Sequence, residues 1–571
     1  MNNDNYNTRI ILASVISTFL MVAWIRYYGK KTLPQNFDTA VNKAEQEYVE
    51  NKQEQNLVEK QLLIEEKNIN TDKNTDNQDI AYVNIDTEKL SGNINLRGLI
   101  FDNLILKDYN KAINTTDKVQ LLSKPNDENS YYLKLGWKSS NSIKLPDENT
   151  LWKSNKTTLS VNNPVILTYD NNDGIIFQIM ISVDENYMFT FKQYVINNTK
   201  DTISFNINNE ISKKIGKDKD QTVSVYEGFI GSFNGNIEEI RYNKLAKKPY
   251  SFNKGFSWAG FTDKYWLVSL ATERTESNLL NVSTNFLEGN YTINFESTDI
   301  VVVPNTKEGI SNFVFAGPKI LKLLDQYSFQ YDLILFDRAV DFGWFYFLTK
   351  PIYIVLKGFY GILGNFGLAI LLLTLIVKFA MYPFTKKSFV SMGKMKLLQP
   401  KIENLRARYA NDKMKLNMET IKLYKKENVS PLSGCLPMLV QIPVFFSLYK
   451  VLAISIDMRQ APFFGYIKDL SASDPTTIWN LFGLLPFQVN FLHIGFLPCL
   501  MAFTMWIQQK LSSQQTSANS EAQSAAKLMP IIFLLMFAGM PTGLLIYWTF
   551  SNIISIAQQY WVEKKILKIK K

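Results

Sequence analysis

The sequence predicts a mixed fold: an N-terminal membrane anchor, an all-β sandwich outside the cytoplasm, then a five-span α-helical membrane bundle with a cytoplasmic helical hairpin. Three observations predict it. An apolar run, "IILASVISTFLMVAWI", lies near the start; short alternating segments separated by turn signals fill residues 81–324; long apolar runs return only after residue 338. Period-two alternation is the signature of half-buried strands, and long uncharged apolar stretches are that of spans.

Residues 1–31 hold the first apolar run. "RYYGKK" follows it in place of a small-residue cleavage pattern, so the run reads as an uncleaved anchor, with a cleaved signal peptide as the alternative. Residues 32–80 are rich in Asn, Gln, Glu and Lys with few aromatics, as in "NINTDKNTDNQD". Such a segment cannot bury enough apolar surface to offset its ordering entropy and is predicted to be a disordered tether.

From Ala81 to Leu324 the segments "PVILTYD", "GIIFQIMISVD", "MFTFKQYVI", "YTINFES" and "DIVVVP" alternate and are bounded by Asn-Asn, Asp-Gly and Asn-Gly turns. They predict an all-β sandwich. Nothing in it resembles a phosphate loop, a metal cluster or a nucleophile beside a base.

Residues 338–363 are aromatic and aliphatic, with Lys350 and Lys357 seven apart on one helical face and Trp344, Tyr346 and Tyr353 suited to a headgroup level. They predict an interfacial amphipathic helix broken at Gly364–Asn365, with one longer span as the alternative. Residues 364–562 then carry five spans: the run "GLAILLLTLIVKFAMYPF", "LPMLVQIPVFFSLYKVLAI", "IGFLPCLMAFTMWIQQ", "LMPIIFLLMFAG" and "GLLIYWTFSNIISIAQQYWV". The tight "MPTG" between the last two predicts a hairpin.

Charge orients the bundle. Residues 385–430 carry 12 Lys or Arg against 4 acids, and the tail at 563–571 has five lysines in "KKILKIKK". Basic loops beside spans stay in the cytoplasm, so the segment after the first of the five spans and the C-terminus are both predicted inside, and the β domain outside. Within 385–430, Met392, Met395, Leu398 and Ile402 recur at three and four residues, as do Met414, Met418, Ile421 and Tyr424. Two short amphipathic helices in a hairpin are predicted. Its Met-rich face is either a receptive surface for varied partners or the hairpin's own seam.

Within the first of these spans stands Lys378. A charge at bilayer depth costs roughly 2.5–3.5 kcal/mol on insertion scales, so it either snorkels to water or serves a purpose inside. Thr374, Lys378, Tyr382 and Thr385 share one helical face. The last span repeats the spacing with Tyr547, Ser551, Ser555 and Gln558; another carries Thr504, Gln508 and Gln515; a further one contributes Gln441. Single Ser and Thr residues in spans are commonly interhelical glue, but several stripes with a lysine and glutamines predict a hydrated groove if they converge.

The composition argues against an enzyme. The one histidine, His493, and both cysteines, Cys435 and Cys499, lie in the membrane half, which leaves the β domain without the commonest acid-base residue, metal ligand or a disulfide. The net charge of +10 is concentrated beside spans, so nucleic acid is not implied. No metal and no cofactor are expected.

The blocks "KFAMYPFTKKSFVSMGKMKLLQPKIENLRARYANDK", "PLSGCLPMLVQIPVFFSLYKVL", "RQAPFFGYIKDLSASDP" and "MPTGLLIYWTFSNIISIAQQ" closely resemble the YidC-type membrane protein insertases of Gram-negative bacteria. The resemblance is dense over the second half and loose over the anchor, linker and β domain. It implies an inner-membrane protein with its β domain in the periplasm, which moves hydrophobic segments from cytosol into lipid without a nucleotide. The implied partners are nascent membrane proteins, the Sec translocon, ribosome or signal recognition components, and membrane lipids. In that family a groove open to cytosol and lipid holds an arginine, and the matching position is Lys378. Lysine keeps the charge and loses the bidentate fork. The family's β domain resembles a sugar mutarotase, but the absence of histidine from this β domain argues against sugar chemistry. A secondary transporter or channel with an external β domain is the rival class; the five spans show no obvious repeat and no second deep charge.

Overall fold

The computed structural model describes residues 82–569, apart from 114, 141, 217–224, 274–279, 344, 411, 430–435, 484, 486–493 and 514–519. The predicted anchor at 1–31 and tether at 32–80 lie outside the described residues, as do Trp344, Cys435, His493 and Gln515. Two large sheets are followed by a helical region, all within one compact unit from Ile80 to Lys571.

Alternation builds the sheets. In Ile175–Val183, residues Ile175, Phe177, Ile179, Ile181 and Val183 are buried while those between them are partly exposed. This strand pairs antiparallel with Met188–Asn197, which pairs in turn with Thr306–Pro318 at the centre of one sheet. The facing sheet runs through Ile203–Lys214 and Ile100–Asn110. Phe101 of one sheet meets Phe189 and Phe191 of the other edge-on, with ring centroids 5.9 and 5.0 Å apart, so the core lies between the layers. A polar pin crosses the same space: Asn209 and Asn312 donate to the Gln193 side-chain oxygen at 2.9 and 3.1 Å.

The sandwich does not end at residue 324. Helix α1 (Leu321–Gln330) buries Leu321, Leu323, Leu324 and Tyr327, and a 3-10 turn at Phe336–Ala339 sets Phe336 edge-on to Trp258 at 5.0 Å. The packing that completes the domain therefore runs to about Val340, because these apolar side chains have nowhere else to be covered. Helix α2 (Tyr346–Leu363) starts later than the predicted residue 338, after Gly343 at φ +67°. Its Lys350 pairs with Asp337 at 2.8 Å and Asp325 at 3.1 Å, and Lys357 with Asp457 at 3.0 Å. These cations hold protein carboxylates rather than standing free for headgroups. The face opposite the buried Thr349, Ile352, Tyr353 and Leu356 is apolar and exposed: Phe347, Ile354, Val355 and Ile362.

Gly364 in the left-handed region ends α2, and Asn365 caps the next helix by accepting from the Leu368 amide at 3.1 Å. Helix α3 (Phe366–Arg408) then runs unbroken for 43 residues through Pro383 and Pro400. At 1.5 Å per residue it is about 65 Å long, roughly twice the hydrocarbon thickness of a bilayer. The expected division between a span and a separate first hairpin helix is absent: one helix is both. It is the helix among the described residues long and apolar enough to cross a membrane, with shorter apolar stretches at Gln441–Ile454 and Leu528–Phe537.

Helix α4 (Lys413–Lys426) is capped by Asp412 and folds back on α3. Met395, Leu398 and Ile402 are buried with Tyr424 and Val429, and Met392 with Phe389 and Val562. Of the two readings of the Met-rich face, this arm is the hairpin's own seam. The exposed apolar row lies on α4, at Met414, Met418 and Ile421.

Four helices complete the bundle: α5 (Leu436–Ile454), α6 (Phe496–Ser513), α7 (Ser520–Phe537) and α8 (Thr542–Ile569). Helix α8 continues through most of the residues expected to form a tail, because nothing from 563 to 569 breaks it. Its packing is most extensive against α3 and α6. The segment 455–477 closes the end of the bundle nearest the β domain. Gly543 and Thr542 amides donate to Leu470 and Ala472 carbonyls at 2.9 and 2.7 Å, and buried Asp474 accepts from the Leu497 amide at 2.8 Å. Gly367 lies so close to Phe463 that a Cβ would stand 1.9 Å from its ring. Lys450 of α5 reaches Asp341 at 2.7 Å, joining the bundle to the last turn before α2.

Candidate functional site

The face of α3 that carries Lys378 points into the bundle. Thr374, Lys378, Thr385 and Ser388 are buried, whereas Leu375, Ile376, Phe379 and Phe384 on the other side are exposed. A 3.6-residue period separates the two sets, so the lysine cannot reach the lipid-facing side without turning the helix. Lys378 is 8% exposed, and its Nζ donates to Ser555 Oγ of α8 at 2.8 Å. Among the described residues no carboxylate forms an ion pair with it.

The other stripes converge on the same helix. Gln441 of α5 donates through Nε2 to Tyr547 OH and, at 3.1 Å, to Ser551 Oγ. Thr504 of α6 accepts from Asn552 Nδ2 at 3.1 Å while donating to the Met501 carbonyl at 2.8 Å. Four helices thus bring polar side chains into contact around α8. They meet side chain against side chain, as a polar seam on which the stripes of α3, α5 and α6 converge.

Not every striped residue takes part. Thr374 donates to the Ile370 carbonyl at 2.6 Å and Thr385 to those of Met381 and Tyr382, so both are satisfied within their own helix. Tyr382 and Gln508 are half-buried. Gln558 Oε1, Gln559 Oε1, Ser447 Oγ and Thr549 Oγ1 are buried and without a partner among the described residues. Buried acceptors and hydroxyls call for a partner, so these four are points where the seam can take up further donors and acceptors.

Residues beyond the predicted stripes extend the seam. Asn552, Gln559 and Glu563 lie on α8 beside Ser555, with Gln559 Nε2 donating to Glu563 Oε1 at 2.9 Å. Lys396 of α3 pairs with Glu563 Oε2 at 2.6 Å. The spacing Asn552, Ser555, Gln559, Glu563 is itself three, four and four, a signal available in the sequence. It was obscured because Glu563 falls in a lysine-rich end that reads as tail.

What the seam offers chemically is polar contact inside an apolar region. An ammonium, hydroxyls and carboxamides on four helices present donors and acceptors in a region otherwise lined by aliphatic groups. Neither a nucleophile with its base nor a metal-binding cluster occurs there among the described residues.

Comparison with known proteins agrees over both halves. Residues 82–355 match the family model described as the YidC periplasmic domain, and residues 358–569 the one described as the 60Kd inner membrane protein. The proteins named membrane protein insertase YidC of Rickettsia conorii and Rickettsia felis are 42% identical over 574 residues, covering 99% of this chain and all of theirs. Among solved structures, an active YidC insertase with its first transmembrane domain resolved matches 86% of this chain and 93% of its own at 18% identity and a TM-score of 0.36. With the two family models together spanning residues 82–569 and relatives 42% identical over the full length, the chain belongs to the YidC family of membrane protein insertases.

Proposed function

We propose that this insertase moves hydrophobic segments from the cytosol into the inner membrane by admitting the polar flank of each segment into the seam around Lys378. The observation that carries the reading is a buried ammonium whose partner is a hydroxyl, with no carboxylate paired to it. A cation so placed is under-compensated, and an acidic flank supplies what it lacks. The seam opens, the flank takes the place of Ser555 at Lys378, and the apolar segment follows along the exposed faces of α3 and its neighbours into lipid. The membrane potential, worth roughly 2.3 kcal/mol per charge per 100 mV, then draws the acidic flank outward. No covalent step is involved, so insertion is accelerated by a lowered barrier alone.

The orientation that fits is five spans, α3 and α5 to α8, with the hairpin and C-terminus in the cytoplasm and the β domain in the periplasm. The basic excess at 385–430 supports it, as do the exposed apolar residues Phe503, Trp506, Ile531, Leu535 and Ile553 on the outer faces of α6, α7 and α8. Helix α2, apolar outward and tied inward by ion pairs, fits a position in the outer interface. The exposed Met414–Met418–Ile421 row is the surface of the hairpin suited to clients, ribosome or signal recognition components, and the Sec translocon is a further partner.

Depletion with complementation tests this. In a strain depleted of its own insertase, the full-length chain restores insertion of a small phage-coat-like protein. Lys378→Ala lowers the rescue, most for clients with acidic outer flanks, and Lys378→Arg preserves it. Full rescue by Lys378→Ala for every client would sink the proposal.

A further inference from the structure

The seam has a second cation at its far end. Lys378 and Lys396 are eighteen residues apart on α3, roughly 27 Å of helix, yet their partners Ser555 and Glu563 are eight apart on α8, roughly 12 Å. Both cations lie on one face of α3, since eighteen residues make five full turns, and their partners set the two ends of the seam on α8. Between them along α8 lie Gln558 Oε1 and Gln559 Oε1, buried and unbonded among the described residues.

The Lys396–Glu563 pair is itself mostly covered, with side chains 18% and 10% exposed, and Gln559 holds the second carboxylate oxygen of Glu563. At the inner end of the seam, then, a lysine is already occupied by a carboxylate from this chain, whereas the deeper lysine has none.

We propose that Lys396 is the entry cation for the acidic flank of a client and that Glu563 occupies it as an internal stand-in, which the client's carboxylate displaces before passing on to Lys378. The inference rests on the reading of Lys378 as the groove cation. Displacement exchanges one carboxylate for another at Lys396, so the lysine is never left buried and unpaired. It frees Glu563 toward the cytoplasmic end of α8, and the unbonded glutamine oxygens offer acceptors to backbone amides of an extended flank on its way between the two ammonium groups. Because Lys396 belongs to the same helix as the hairpin arm, exchange at this pair also removes a polar tie between the hairpin root and α8, beside the apolar Phe389–Met392–Val562 contact.

The test uses the full-length chain in proteoliposomes of anionic and zwitterionic lipid, with a single-span client carrying zero, one or two Asp in its translocated flank. Glu563→Gln is expected to raise the ratio of acidic-flank to neutral-flank insertion about threefold, within what even an exposed ion pair is worth. Lys396→Gln lowers the same ratio, and the double variant K396Q/E563Q resembles Lys396→Gln. If the pair only staples the hairpin to α8, Glu563→Gln lowers insertion of all clients alike, and the double variant equals either single one; that result overturns the inference. Lys378→Ala run in parallel separates the two readings. Loss of flank dependence in Lys378→Ala with no change of ratio in Glu563→Gln defeats the stand-in and keeps the groove. Full flank dependence in Lys378→Ala defeats the groove itself.

Discussion

Replacing Lys378 by Met separates what the lysine does for the fold from what it does for a client. Methionine keeps the length and removes the charge. The fold gains roughly 2.5–3.5 kcal/mol by no longer holding a cation at depth, and loses roughly 1.5–3 kcal/mol with the charge-assisted bond to Ser555 Oγ. The expected net effect on stability is thus small, about 1 kcal/mol in favour of the variant, read from thermal unfolding in detergent. For a client the sign is opposite. A carboxylate about 4 Å from the ammonium at an effective dielectric near 20 is attracted by about 4 kcal/mol. Giving up the Ser555 bond returns about 1.5–3 kcal/mol of that, leaving about 1–2.5 kcal/mol, or on the order of tenfold in insertion rate. Proteoliposomes containing Lys378→Met should therefore insert an acidic-flank client about tenfold more slowly while the protein melts no earlier than the parent. A variant that melts much earlier and loses neutral and acidic clients equally would show that the lysine is structural and refute the reasoning.

The β domain and the hairpin supply two further predictions. Lys319, 3% exposed and donating to Thr262 Oγ1 at 2.9 Å, has its ammonium pushed down to about 8 by burial. Its folded value lies below the unfolded one, so the charged form costs stability below pH 8, and the cost fades as pH rises to about 10.5. Lys319→Met is expected to be more stable than the parent near pH 7, with the gap narrowing as pH rises toward 10 in denaturant titrations. In the hairpin, Met395→Ala empties a buried seam and should cost about 2–5 kcal/mol of local stability, seen as faster amide exchange over α3 and α4. Met414→Ala, at 79% exposed, should stay within about 0.5 kcal/mol.

Lys378 was legible because a cation inside an aliphatic run breaks a strong local rule, and its face followed from helical period alone. The partners were not. Ser555 is 177 residues away, and Gln441 meets Tyr547 and Ser551 across more than 100. Stripes predict that polar faces exist, but which stripe opposes which depends on helix order, and that is not written in periodicity. Lys350 and Lys357 show the same limit from the other side. Spacing placed them on one face, and only the approach of Asp325, Asp337 and Asp457 made them internal ties. The Met-rich arms are a third case, since a seam and a receptive surface share the same three-and-four repeat.

Taken alone, the sequence determined the order of a β domain and a helical membrane region, the kinds of face each element presents, and the family. Those are local properties: period two or 3.6, the sign of charge beside an apolar run, long blocks of matching residues. The tertiary structure decided that α3 is one helix from Phe366 to Arg408, that Met395, Leu398 and Ile402 are used up in the hairpin seam, and that Lys378, Gln441 and Thr504 each find a polar partner on α8. It also decided that Glu563 sits on Lys396. Each of these is a choice among partners of equal chemistry, and only the packing of distant segments against one another makes it.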